Sequence, residues 1–139
     1  MKYKRFGNKV IVRIDSGEEI VKTLGKICKN LKINFGTVSG IGATNKAIIG
    51  LFNSNTKQYQ STELRGDHEI APLYGNVSTL GSNIYLHLHA NLCNEDHKSY
   101  GGHLNSAIVS VTFECIIDII DGEINRVFDE KIGLNPLDL

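Results

Sequence analysis

The sequence predicts an α/β protein of the α+β type, with a mostly antiparallel β-sheet of about seven strands and one long flanking helix. Two observations lead to this fold class. Segments rich in β-branched and aromatic residues recur along the chain and are separated by Gly, Asn, Asp or Ser. Only one long segment shows helical spacing, so the chain lacks the crossover helices that parallel pairing requires.

The first predicted elements are a strand and the helix. Residues 9–14 alternate between polar and apolar side chains, as a half-buried strand does. Ser16 and Glu19 then have capping-box spacing, in which Ser16 accepts from the Glu19 amide and the Glu19 side chain reaches back. A helix is therefore expected to start there and to end near Lys32. Its apolar stripe, spaced by three and four residues, consists of Ile20, Leu24, Ile27 and Leu31.

Six further segments have strand composition and complete the predicted sheet. They are residues 35–39, 46–52, 69–78, 83–91, 105–118 and 124–130. Gly81-Ser82 and Asp121-Gly122 are typical of hairpin turns. Pro72 is expected at a strand irregularity and Pro136 in the tail. No repeat or Pro-rich linker interrupts the 139 residues, so we expect one domain spanning residues 1–139.

Composition narrows the classes of partner. Fifteen basic and 15 acidic residues give a formal net charge of zero, so attraction to nucleic acid would need a local patch. The start of the chain is charged and no run approaches the roughly 20 apolar residues of a membrane span. Cys28, Cys93 and Cys115 form no CxxC pair and are expected to be free, mostly buried thiols. A cytoplasmic protein without membrane contact is therefore predicted.

Two groups of basic residues supply candidate patches. Three lysines share one face of the predicted helix, where exposure to solvent is the simpler interpretation. These are Lys22, Lys26 and Lys29. The second group, near the start of the chain, is Lys2, Lys4 and Arg5. An assembly of several chains would concentrate both groups on one surface, so direct DNA binding is one function to consider.

The segment His87-Leu88-His89 carries the most specific chemistry. In a strand, residues i and i+2 project from the same face, so the two imidazoles lie close enough to share one ion, while Leu88 faces the core. His103 follows a loop that can return the chain beside this strand. Three neutral imidazoles suit zinc, and also copper, iron or nickel, and they leave one coordination position for water, substrate or another ligand.

Several neighbouring residues have two interpretations. Gly101 and Gly102 precede His103 and allow either a bulge that aims its ring or an ordinary hairpin irregularity. Glu114 interrupts an apolar run and is either a partner that orients a histidine or half of a cross-strand ion pair. Glu95 and Asp96, in the loop before His103, are further candidates to support the site. His68 and His97 lack the HxH pattern and are left outside it.

The order of four short motifs resembles the plants-and-prokaryotes-conserved (PPC) domain over about residues 5–130. The motifs are Gly36-Thr37-Val38-Ser39-Gly40-Ile41-Gly42-Ala43, Gly75-Asn76-Val77-Ser78 preceded by Glu69-Ile70, His87-Leu88-His89-Ala90 and Gly101-Gly102-His103-Leu104. The resemblance implies a mostly antiparallel sheet flanked by helix, a homotrimer, and clustered histidines that hold a metal in prokaryotic members.

Plant members of this family carry AT-hook motifs before the domain and are described as DNA-binding. This chain contains no Arg-Gly-Arg-Pro core, so the minor-groove mechanism of that motif is missing. Plant members also contact partner transcription factors through a Gly-Arg-Phe-Glu-Ile-Leu segment. The matching stretch here, residues 66–71, agrees only at Gly66, Glu69 and Ile70.

Three functions follow from these features. The first is a homotrimeric metal-binding protein, with zinc or another divalent transition metal on His87, His89 and His103 and a regulatory or sensing role. The second is a metal-dependent enzyme acting on a small molecule, with Glu95, Asp96 or Glu114 as the proton carrier. The third is direct DNA binding by the basic patches of a trimer.

Overall fold

The computed structural model describes residues 1–139. Its elements follow the chain as one helix and six strands. They are β1 (Lys2–Phe6), β2 (Lys9–Asp15), α1 (Ile20–Leu31), β3 (Gly36–Asn53), β4 (Gln58–Leu80), β5 (Asn83–Cys93) and β6 (Ser99–Ile119). All strands form one sheet in the order β1-β2-β6-β3-β4-β5, and every neighbouring pair is antiparallel. The predicted fold class is confirmed.

The strands are fewer and longer than the sequence indicates. The predicted strands at residues 35–39 and 46–52 are two parts of β3, which continues through the glycines between them. These glycines do not form a turn. A Cβ on Gly40 would collide with the Phe113 ring and the backbone of β6, so glycine is needed there for close approach of two strands. The pairing of β3 with β4 shifts register at Gly40/Gly42 and again at Thr44/Lys46.

The two ends of the chain also differ from expectation. β1 was not predicted, and it pairs with β2 through a turn at Gly7, whose φ is +57°. Residues 124–130 do not form a strand, because only isolated bridges join them to Thr79 and to the tail. Asp121-Gly122 is therefore not a hairpin turn. Gly81, with φ +59°, does lie in the two-residue connection between β4 and β5.

The helix begins at a different cap from the one predicted. Glu19 is the N-cap, and its carboxylate accepts hydrogen bonds from the amides of Val21 and Lys22 at 3.1 and 2.6 Å. The Ser16 hydroxyl instead donates to the carbonyl of Ser110 at 2.8 Å. Because Glu19 also accepts from the Ala107 amide at 3.0 Å, the cap fixes the start of α1 to β6. The helix ends at Leu31, which confirms the predicted end near Lys32, and Lys32 is the C-cap in the left-handed conformation.

One hydrophobic core joins α1 to one face of the sheet. The helix contributes Ile20, Leu24 and Ile27, which are fully buried, and Leu31 packs at the edge of the core. Alternate residues of β5, including Leu88 and Ala90, point into this core. The residues between them therefore project from the opposite face of the sheet. The helix α1 has 12 residues, which is too short to span a membrane.

Candidate metal centre

The three predicted histidines meet on the face of the sheet opposite the core. His87 and His89 alternate with buried Leu88 along β5, so both imidazoles project from the same side. β6 runs antiparallel beside β5, and His103 is the register partner of His89. The hairpin of β5 and β6, closed by residues 94–98, thus brings the third ring to the first two.

The distances between the rings match the needs of a metal ion. One imidazole nitrogen from each of His87, His89 and His103 lies within 4.8 Å of the others. The Nε2 atoms of His87 and His89 are 3.2 Å apart. Two nitrogens bound to one tetrahedral zinc at bond lengths of about 2.0–2.1 Å would be about 3.3 Å apart. The cluster therefore fits a single ion with three protein ligands.

The surroundings keep His87 and His103 in the neutral form that binds metals. Desolvation by burial, with further contributions from the positive charges of Arg126, His103 and His89, lowers the pKa of His87 to about 4. Burial also lowers the pKa of His103, followed by the charges of His89 and Arg126. A histidine must be neutral to ligate a metal, so both rings are ready to do so at neutral pH.

Close backbone approach sets the position of His103. Its neighbour Gly102 lies against β3, where an added Cβ would be 2.7 Å from the Gly50 carbonyl oxygen. Gly102 does not have positive φ, so close approach is its requirement. The Tyr59 ring meets the His103 ring edge-on with centroids 6.2 Å apart, and its hydroxyl donates to Asn105 Oδ1 at 2.7 Å. These contacts hold the ring on the β6 side of the site.

Arg126 is a neighbour of the site that sequence reasoning missed. The residue is buried, with a relative exposure of 5%. The guanidinium donates from Nε to Ser78 Oγ at 2.8 Å and from Nη2 to Asn76 Oδ1 at 2.9 Å, and it lies 4.8 Å from the Tyr85 ring centroid. Asn76 is the register partner of His87. No sequence signal pointed to it, because Arg126 stands in a segment of mixed polar and apolar residues.

Comparison with known proteins agrees with this description. A family model for the Plants and Prokaryotes Conserved (PCC) domain matches residues 1–121. The chain belongs to the PCC family. The resemblance carried by the sequence motifs is confirmed, because the same domain is abbreviated PPC elsewhere.

Solved structures similar to this PCC domain cover nearly its whole length. A protein from Bacteroides thetaiotaomicron, proposed to bind DNA, is 38% identical with a TM-score of 0.96, over 99% of this chain and 96% of that one. A metal-containing protein from Archaeoglobus fulgidus is 32% identical with a TM-score of 0.88, over 100% of both chains. A PPC protein from Pyrococcus horikoshii is 28% identical with a TM-score of 0.87, over 99% and 94%. No curated protein matches the chain.

The predicted supporting carboxylates lie away from the histidines of this PCC domain. Glu114 follows His103 by eleven positions on the same strand, which corresponds to about 35 Å at the usual rise per residue. It is exposed opposite Arg13, whose Nε is bonded to Asp15 instead, so no ion pair forms. Glu95 and Asp96 lie in the loop that closes the β5–β6 hairpin, and Asp96 pairs with Lys98 at 3.3 Å. The structure brings none of these three to the histidines.

The remaining candidates lie on or near that same loop. Gly66 has a φ of +91°, Glu69 is exposed, and Ile70 is 98% buried in the core. Ile70 therefore presents no surface to a partner of this PCC domain. His68 is buried, with Nδ1 bonded to the Gly66 carbonyl at 2.8 Å, and it borders a surface cavity of about 430 Å³. His97 is exposed at the hairpin tip, with a φ of +60°.

Proposed function

We propose that this chain is a metal-binding PCC protein in which His87, His89 and His103 hold one divalent transition metal. The observation that carries the proposal is the convergence of three imidazole nitrogens within 4.8 Å. Zinc is the preferred ion, because it accepts three histidines and keeps a fourth position open. The metal-containing relative from Archaeoglobus fulgidus supports the proposal.

We assign the open position to a small ligand, and the role to regulation or sensing rather than catalysis. An enzyme of this kind would need a proton carrier beside the metal, and the three candidate carboxylates lie elsewhere in the chain. The cysteines are free, and two of them are buried. We also propose a cytoplasmic location, because free thiols are typical of that reducing compartment.

Metal content tests the proposal directly. Native protein without a histidine tag is compared with His89→Ala after both are supplied with zinc and dialysed. We expect about one zinc per chain in the native protein and little in the variant, because removing one of three ligands weakens binding steeply. His97→Ala, an exposed histidine outside the cluster, is the matched control and should keep its zinc. Equal metal in His89→Ala and native protein would refute the site.

We also propose that the chain forms a homotrimer. The face of the sheet formed by β2, β6 and β3 exposes three isoleucines, at 41% for Ile11, 42% for Ile116 and 63% for Ile41. Ile11 and Ile116 are register partners, so the apolar surface crosses from β2 to β6, and Ile41 on β3 lies opposite Glu114, two residues from Ile116. Exposed apolar patches of this kind are typical of contact surfaces between chains. Three copies, rather than two, are what the family resemblance implies.

DNA binding is the second candidate function, and one relative favours it. The Bacteroides thetaiotaomicron protein that is proposed to bind DNA is 38% identical over 99% of this chain. Six exposed basic residues are available for phosphate contacts. They are Lys2, Lys4 and Arg5 on β1 and Lys22, Lys26 and Lys29 on α1.

The salt dependence of DNA affinity distinguishes DNA binding from the metal-binding function. If the patches bind phosphates, the affinity for duplex DNA should fall steeply between about 50 and 200 mM salt. Replacing Lys22, Lys26 and Lys29 by glutamine should make the affinity for DNA less dependent on salt concentration. His89→Ala should leave that dependence unchanged. Affinity that does not depend on salt or on these lysines would exclude the patches as the DNA-binding surface.

A further inference from the structure

We infer that the open coordination position binds a small carboxylate anion, with one oxygen on the metal and the other on the guanidinium of Arg126. The inference rests on the metal site proposed above and names the chemical class of its ligand. Arg126 is a buried residue, with a relative exposure of 5%, yet it carries a positive charge. A buried charge normally has a charged partner.

No such partner exists within this chain. Arg126 takes part in none of the ion pairs of the structure. All three acceptors of its hydrogen bonds are neutral: Ser78 Oγ, Asn76 Oδ1 and the Asn135 carbonyl, the last at 2.7 Å. A guanidinium has five N–H groups, so one on Nη1 and one on Nη2 remain free. Either of these N–H groups can donate to the carboxylate oxygen that is not on the metal.

The guanidinium lies beside the histidines on the same face of the sheet. Arg126 bonds to Asn76, which is directly opposite His87, and covers the ring of Tyr85, two residues before His87 on β5. Side chains at i and i+2 of a strand share a face, and directly opposite residues have Cβ atoms about 5 Å apart. A ligand on the metal can therefore reach the free N–H groups of Arg126.

Charge balance points to an anion rather than a neutral ligand. A divalent metal on three neutral imidazoles keeps its full charge of +2, and Arg126 adds another positive charge nearby. The cluster contains three histidines and no carboxylate, and Arg126 forms no ion pair, so no acidic group of the chain offsets these charges. Like charges in a partly buried site repel strongly. A bound anion removes that repulsion. A carboxylate has two oxygens, so the open metal position and a free N–H group of Arg126 together satisfy both.

The test uses the full chain with Co²⁺ in place of zinc, because the visible spectrum of Co²⁺ reports its coordination. Acetate is the carboxylate probe, inorganic phosphate the competing oxyanion, and imidazole the neutral ligand. Arg126→Met should weaken acetate binding at least about tenfold, since a charge-assisted pair is lost. Imidazole binding should change less than about threefold. Arg65→Met, which removes an arginine that is 72% exposed, should behave as native.

A second variant keeps the inference testable if Arg126→Met does not fold. Asn76→Asp keeps an acceptor 2.9 Å from Arg126 Nη2 but makes it a carboxylate. This carboxylate would form an ion pair with Arg126 in place of the bound anion. Acetate binding should again fall at least about tenfold. Acetate affinity that is unchanged in both variants would overturn the inference, as would equal losses for acetate and imidazole. Tighter binding of phosphate than of acetate would overturn the carboxylate class. Failure of the native chain to take up Co²⁺ would instead refute the metal site itself.

Discussion

His89 and His103 are direct register partners on β5 and β6, although they are 14 residues apart in sequence. Directly opposite side chains in an antiparallel pair are close enough to share an ion. The register of one hairpin therefore decides whether the third imidazole joins the first two. A shift of one residue would send the His103 ring to the core face of the sheet. Contacts that fix the register of β5 and β6 are therefore required for metal binding.

Gly102→Ala tests the link between register and metal binding. The new Cβ would be 2.7 Å from the Gly50 carbonyl oxygen, so β6 must move away from β3. We expect a loss of about 1–3 kcal/mol in the free energy of unfolding and weaker zinc binding, because His103 moves with its strand. Urea denaturation and zinc competition with a chromogenic chelator measure the two effects.

Gly101→Ala is the matched control for that variant. Its Cβ would contact the Ala90 carbonyl oxygen at an ordinary 3.5 Å, and Gly101 does not have positive φ. We expect a change in stability within about 1 kcal/mol and unchanged zinc affinity. Equal losses in the two variants would contradict the role assigned to the contact between Gly102 and Gly50.

The metal-free protein should lose stability as the pH falls from 6.5 to about 4. The pKa of His87 is lowered from 6.5 to about 4 in the folded chain, chiefly by desolvation. Within this window the unfolded chain binds more protons than the folded chain, so the free energy of unfolding decreases on acidification. Above pH 6.5 His87 contributes no pH dependence. Urea denaturation at several pH values, with a chelator present to remove metal, measures how the free energy of unfolding changes with pH.

Comparison with His87→Gln isolates this contribution from other titrating groups. The pKa values of Asp15 and Glu18 are lowered by hydrogen bonds to the N-terminal amino group, so acid also weakens these contacts. Their carboxyls are present in both proteins and cancel in the comparison. Between pH 4 and 6.5, we expect the free energy of unfolding to change less with pH in His87→Gln than in native protein. Identical slopes would show that His87 is not held neutral by its surroundings.

Glu19→Ala should destabilise the protein by about 1–2 kcal/mol, the usual range for loss of a helix cap. The carboxylate accepts from the amides of Val21 and Lys22 and also from Ala107 on β6. Thermal unfolding of the metal-free protein measures the effect. Ser16→Ala, the cap that the sequence suggested, should change the free energy of unfolding by less than about 0.5 kcal/mol. A larger loss in Ser16→Ala than in Glu19→Ala would contradict the observed cap.

The fold class could be predicted because helical and alternating patterns reflect local burial. The number of strands could not be predicted, since Gly40 and Gly42 have the composition of a turn but serve close packing against β6. That requirement depends on Phe113, which is far away in sequence. The cap at Glu19 was missed for a similar reason. Its third hydrogen bond comes from Ala107, and no local spacing reveals such a contact.

The candidate site was partly visible in the sequence. His87 and His89 share a strand, so their spacing alone places both rings on one face. Placement of His103 required only that a short loop return the chain beside that strand. Glu114 looked like a supporting residue because it interrupts an apolar run, yet it simply faces outward from β6. Arg126 gave no pattern, because a tail without regular structure carries it back over the sheet.

Ile116→Lys should dissociate the proposed homotrimer. Ile116 lies on β6 directly opposite Ile11, and its relative exposure is 42% in the single chain. Each of the three equivalent contacts between copies would bury a lysine in an apolar surface, which is costly. Light scattering should give a trimer for native protein and monomers for the variant. Ile132→Lys changes the same residue type at a similar exposure of 45%, but in the tail, and should remain trimeric. A native monomer would exclude the homotrimer, and a trimeric Ile116→Lys variant would place the contact elsewhere.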